Sequence, residues 1–190
     1  MARGETRNRL LDEGHRLFLE QGYNHAGIEA ILQASGVPKG SFYNYFASKE
    51  VFALAVVDKF AACHDAELDR ALGDRSRPPM DRLRAYFENA IERIDRDGCR
   101  KGCLAGNLGQ EMADQSEVIR TRLESVFSGW VDRLASCLAE ARDSGAIPQG
   151  MDIQAVAEFW MNSWQGAILR AKTARSVEPL RLFLRHTLPG

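Results

Sequence analysis

Apolar residues recur at helical spacing along almost the whole chain. Leu10, Leu11, Gly14, Leu17 and Phe18 form one stripe, and Gly22 is a natural stop behind it. Short helices fit Ile28–Ser35 and Pro38–Tyr45. Ser48 can cap the next helix, with Glu50 in its first turn, and Val51, Phe52, Ala55, Phe60 and Leu68 carry it towards Gly73. Two prolines, Pro78 and Pro79, make the best internal break. Beyond it, Met80, Leu83, Phe87, Ala90, Ile91 and Ile94 mark another helix, stopped at Gly98. A small, glycine-rich segment covers 99–109, and a long helix follows from Ile119 to Ala141. Asp152 can cap a helix over 152–172 that is apolar on nearly every face, and a last helix fits 177–188. The pattern predicts an all-α fold.

A helix apolar all round must be covered on all sides. In a chain of 190 residues that implies a second copy, through helices 152–172 and 177–188. Domains are expected at 1–49 and 50–190, with 50–73 as a connecting helix.

Composition changes the picture only a little. Charged residues make up 27% and the hydrophobic set 45%, an ordinary globular balance. Net charge is −1, so any nucleic-acid contact must come from a local patch. Arg3, Arg7 and Arg9 against Glu5 supply one. No secretory h-region or membrane-length apolar run is visible, so a cytoplasmic protein with reduced cysteines is expected.

The informative stretch is Gly27 to Phe46. It reads as two short helices around a tight turn, with Gly36 in the left-handed conformation and Ile31, Val37, Phe42 and Phe46 as the locking contacts. A helix-turn-helix inserts the N-terminal end of its second helix into the major groove. Here that end carries Lys39, Gly40, Ser41, Tyr43 and Asn44, with Lys49 following. Gly40 allows close approach, Ser41 and Asn44 can bond base edges or phosphates, and Tyr43 and Lys49 can reach the backbone. A plain helical hairpin with core aromatics has the same periodicity.

Gly22-Tyr23, Ile28, Ile31 and the unbroken run Gly36–Glu50 resemble the N-terminal signature of the TetR family. The resemblance implies an all-α fold of about nine helices and a dimeric repressor that binds double-stranded operator DNA and releases it on binding a small molecule. Two positions depart from the pattern. Gly27 stands where a capping, phosphate-touching Thr or Ser is usual, and Leu32 stands where a small Ala is common. Gly27 can therefore serve only through its backbone.

The segments 102–111 and 171–180 resemble one branch of that family, whose members respond to acrylate or to N-ethylmaleimide and other electrophiles. That resemblance implies Cys103 as a reactive thiol. Arg100, Lys101 and a following helix N-terminus favour its thiolate. A small buried cysteine beside glycines is the plain alternative. Cys63 and Cys137 fall on helical stripes and are expected in the core. Phe127, Trp130, Trp160 and Trp164 lie on helices that surround the family's effector pocket; their plain reading is core, with lining a small apolar cavity as the alternative, and Asn107, Gln110, Glu111 and Asn162 are candidate polar anchors. No enzyme motif, metal-ligand spacing or cofactor signature is present, so neither catalysis nor a cofactor is expected. The competing class is a helical protein-interaction module without DNA.

Overall fold

The computed structural model describes residues 3–188, with the backbone alone for Arg3. The side chain of Arg3, counted above in the basic N-terminal patch, lies outside the described residues. Among those residues the secondary structure is entirely helical. The elements are α1 (Arg3–His25), α2 (Ile28–Ser35), a 3-10 helix (Lys39–Asn44), α3 (Lys49–Leu72), α4 (Pro79–Arg96), α5 (Leu104–Met112), α6 (Glu117–Asp143), α7 (Ile153–Ala174) and α8 (Glu178–Thr187).

The chain divides into two compact units along lines other than 1–49 and 50–190. The first runs to Cys63 and resumes over Cys103–Glu124; the second takes His64–Gly102 and the chain from Ser125 onward.

In the first unit the expected stripe is the core. Leu10, Leu11, Leu17, Phe18, Ile31, Leu32, Phe42, Phe46 and Phe52 are buried. Phe52 meets Phe18, Phe42 and Phe46 edge-on at 5.9, 5.4 and 4.9 Å between ring centroids. Each such pair adds about 0.5–1.5 kcal/mol beyond its buried area. Leu32 is accommodated inside this core. Gly36 caps α2 with φ 63°, and its N–H reaches back to the Gln33 carbonyl, so the turn forms as its sequence demands.

Gly22 ends the regular run of α1 as its sequence expects, with φ 78°, ψ 170°, and one further turn, absent from the pattern, carries the element to His25. The segment 99–109, too glycine-rich to look helical, holds most of α5. Leu104, Ala105, Leu108 and Met112 recur at helical spacing and are buried, which outweighs the intrinsic cost of Gly106 and Gly109.

The second unit is built on aromatic contacts. Phe87 meets Trp164 at 4.9 Å and Phe183 at 5.0 Å, and Trp164 meets Phe183 at 5.2 Å. Arg82 is a buried cation; it donates to the Leu72 carbonyl at the end of α3 and pairs with Glu140 at 2.5 Å. Asp152 caps α7 by accepting the Ala155 N–H at 3.1 Å, as expected.

Candidate nucleic-acid interface and sensing region

The segment expected to read DNA is a 3-10 helix rather than an α-helix. It is short and follows Pro38, and the Ser41 N–H bonds the Pro38 carbonyl at 2.9 Å. Short pieces tolerate this tighter winding. With three residues per turn, Phe42 points inward and is fully buried. Gly40 and Tyr43 share an outward line, as do Ser41 and Asn44. Tyr43 is 67% exposed although it is aromatic. Lys39 is exposed and pairs only with the equally exposed Glu29, at 3.0 Å. Such pairs are worth at most about 1 kcal/mol, so a phosphate can replace the partner. Gly27 precedes α2 with φ −68°, supplies no side-chain cap, and has open space where a Cβ would stand. Arg7 lies over the Phe46 ring at 5.3 Å, adding a cation beside the same segment.

Lys49 is placed differently from the expectation. Its ammonium donates to the Tyr23 carbonyl at 2.6 Å and sits 4.4 Å from the centre of the Tyr23 ring. Burial holds it below the usual 10.5, with Glu111 opposing the shift. The cation is engaged by a carbonyl of the last turn of α1, which the helix end leaves without an intrahelical partner.

The Glu111 carboxylate accepts the N–H of Tyr23 and of Asn24, both at 2.7 Å. Nearby, the Ser116 hydroxyl donates to Glu50 at 2.5 Å.

Cys103 is the N-cap residue of α5 and is half-buried. All four cysteines are thiols outside any disulfide. Cys99 is buried; burial first, then Asp95, pushes its thiol up. Cys137 is in the core and is pushed up to about 11 by burial. Cys63 is exposed, contrary to its expected core place, since it falls on the outer face of α3. The loop before Cys103 is left-handed at Gly98, Cys99 and Gly102. It is pinned by α7, whose Lys172 donates to the Lys101 carbonyl at 3.4 Å, and by Arg175, which donates to the Cys99 carbonyl at 3.2 Å. Of the two cations expected to flank the thiol, Lys101 instead pairs with Asp97 at 2.9 Å.

Of the six expected effector residues, Cys103 and Asn107 belong to the first unit, and Phe127, Trp130, Trp160 and Trp164 to the second. Trp130 is fully buried, donates to Asp65 at 3.1 Å and lies tilted against the His64 ring at 4.4 Å. Phe127 lies edge-on to it at 5.4 Å. Burial lowers the His64 imidazole, and the Tyr86 hydroxyl meets its Nε2 at 3.1 Å. Trp160 and Trp164 are buried against Phe87. These rings fill space, and of the four only Trp160 borders a described cavity, one of about 450 Å³ beside Met80, Leu138, Ile147 and Met151. Among the described residues no group of three or more His, Cys, Asp or Glu is placed to hold a metal, and no helix is long and apolar enough to cross a membrane.

Two family models match. "Bacterial regulatory proteins, tetR family" covers residues 10–56, and "Tetracyclin repressor-like, C-terminal domain" covers 79–187. The chain is 41% identical to the repressor DhaR of Mycobacterium sp. (strain GP1), over 97% of this chain and 91% of that one. It is 32% identical to the repressor NemR of Escherichia coli (strain K12), over 96% and 92%. A TetR regulatory protein from Rhodobacter sphaeroides superposes with a TM-score of 0.90 at 39% identity, covering 95% of each chain.

Proposed function

The chain belongs to the TetR family of bacterial DNA-binding transcriptional regulators, and from that premise we propose that it represses transcription as a dimer through the 3-10 helix Lys39–Asn44. The observation that carries this reading is the outward face of exposed Gly40, Tyr43 and Asn44 with half-buried Ser41, held over a buried Phe42. An aromatic hydroxyl, two small polar side chains and a glycine suit phosphates and base edges. Lys39 joins them once it leaves Glu29. Gly27 contributes its backbone N–H at the start of α2. Lys49 acts through Tyr23, not through the DNA.

The dimer forms through α7 and α8. Ala155, Phe159, Asn162, Gly166, Leu169 and Thr173 are exposed at alternating spacings of three and four along α7. Phe159 is 63%, Leu169 44% and Leu182 of α8 51% exposed. A groove of about 330 Å³ lies between them, lined by Phe159, Ala167, Pro179, Leu182 and Phe183. Exposed apolar side chains this concentrated mark a partner surface, and a two-fold pairing satisfies both copies with one patch. The two reading segments then sit about 34–36 Å apart, one turn of DNA.

Release is driven by a small molecule, with activated alkenes and other electrophiles as the favoured class. Cys103 is the nucleophile: its sulfur bonds the β-carbon of the alkene, and the α-carbon takes a proton from water. Cys99 and Cys137 are raised by burial and are poorly placed to compete. Asn107 lies one turn along the same helix. An effector that favours the DNA-free state by about 2–3 kcal/mol weakens operator binding some tens-fold to a hundredfold.

The test is a gel shift on DNA upstream of the chain's own gene, with and without acrylate, N-ethylmaleimide and hypochlorite. A retarded band abolished by one of these supports the reading. No band at low salt contradicts it.

A further inference from the structure

The kink in α1 leaves two peptide N–H groups without the carbonyls a continuous helix would offer. Gly22 breaks the hydrogen-bond ladder, and Tyr23 and Asn24 begin a new turn, closed by the Ala26 N–H on the Gly22 carbonyl at 3.2 Å. Their partner comes from a segment 88 residues away. Glu111 Oε2 accepts from Tyr23 and Oε1 from Asn24, both at 2.7 Å. One carboxylate thus caps a helical turn in the way an N-cap side chain normally does, but from another helix. The fit is tight: a Cβ on Gly22 would stand 2.7 Å from Glu111 Oε2.

The same peptide is held from its other end. Lys49, the first residue of α3, bonds the Tyr23 carbonyl and covers its ring. Tyr23 itself packs on Phe18 of the head core, at 5.6 Å. Glu50, next to Lys49, accepts from Ser116. The reading segment lies between α2 and α3, so its direction follows from where α1 and the start of α3 are fixed. Both are fixed at Tyr23.

We propose that Glu111 is a positioning residue for operator binding: its carboxylate clamps the α1 kink to α5 and so sets the pose of the DNA-reading head. The inference rests on the DNA-binding reading and is independent of the effector and of Cys103. It has a consequence of unusual sign. Glu111 is an anion in the head of a DNA-binding protein, so electrostatics alone predict that neutralising it strengthens binding to a polyanion. The clamp predicts that specific binding weakens.

Glu111→Gln keeps the shape and offers one good acceptor, while its amide N–H₂ faces a second donor. Glu111→Ala removes both acceptors. Full-length wild type, both variants and Asp114→Asn, an exposed carboxylate just beyond α5, are titrated with operator duplex and with a scrambled duplex. Amide hydrogen exchange is followed in parallel. The expected result is an operator affinity about tenfold weaker for Glu111→Gln and weaker still for Glu111→Ala. Scrambled-duplex affinity stays unchanged or rises, and exchange accelerates at Tyr23 and Asn24 while the Ile31 and Phe52 amides stay protected. Asp114→Asn binds operator no more weakly than wild type. A folded Glu111→Gln that binds operator as tightly as wild type, or more tightly, overturns the proposal. So does a uniform rise in exchange across the head, which marks a general loss of stability. If wild type itself prefers no duplex, the DNA-binding reading fails first, and that outcome is distinct from the failure of the clamp.

Discussion

Two surfaces of this protein expose aromatic side chains, and they do so in opposite company. Tyr43 projects from the 3-10 helix among Lys39, Gly40, Ser41 and Asn44, all polar or small. Phe159 projects from α7 in line with Ala155, Gly166 and Leu169, beside Leu182 of α8. A lone aromatic with a hydroxyl, ringed by hydrogen-bonding groups, suits a hydrated, charged partner. An aromatic without one, in an apolar stripe with a glycine for close approach, suits a partner that excludes water. On the proposed reading, nucleic acid belongs to the first and a second copy to the second. It also shows that exposure alone says little until the neighbours are named.

The contrast breaks first, and furthest, at the reading face. Lys39→Ala with Tyr43→Ala removes four contacts from the dimer. At about 1 kcal/mol each they amount to roughly a thousandfold loss of operator affinity. The native mass stays that of the dimer. A monomeric or unfolded double variant would place these residues in the core instead.

Phe159→Arg attacks the other face. Burying an unpaired guanidinium there raises the dimer dissociation constant about a hundredfold or more, read by analytical ultracentrifugation. Operator affinity falls with it, because half-site spacing needs both copies. Unchanged dimerisation would remove α7 from the interface.

Cys103→Ser probes the link between the faces. It is expected to bind operator like wild type and to lose the tens-fold release by N-ethylmaleimide, measured by anisotropy. Full release from the serine variant would transfer the chemistry to exposed Cys63.

The smallest effect is a gain. Gly27→Ser adds a capping hydroxyl where there is open space and a suitable backbone. It is expected to add a few tenths of a kcal/mol to stability and about two- to fivefold to operator affinity. A loss of affinity would mean that the backbone of Gly27 must approach the phosphate more closely than a side chain allows.

The elements legible in the sequence share one property: their cause lies within a few residues. Gly36 with Val37 and Phe42 specifies its own turn, and Asp152 caps its own helix. The stripe from Leu10 to Phe18 declares its buried face by spacing alone. The features that the sequence leaves out depend on distant partners. The turn beyond Gly22 goes unread because nothing near it shows that Glu111 will cap it. Lys49 looks available to DNA because the Tyr23 carbonyl that binds it lies 26 residues away in the chain. The segment 99–109 looks like loop because its glycines are local, whereas the surfaces that Leu104 and Leu108 bury against are not. The aromatic residues fit both core and pocket wall in the sequence, since periodicity reports which face is buried but not whether a ligand or another ring fills the space.

The most direct test of the whole account is methylation protection of guanine N7 on the operator, which reports the major groove. The account predicts two protected patches on one face of the duplex, about ten base pairs apart or a multiple of that, both lost with Tyr43→Ala. A single patch, or protection that survives Tyr43→Ala unchanged, would contradict it.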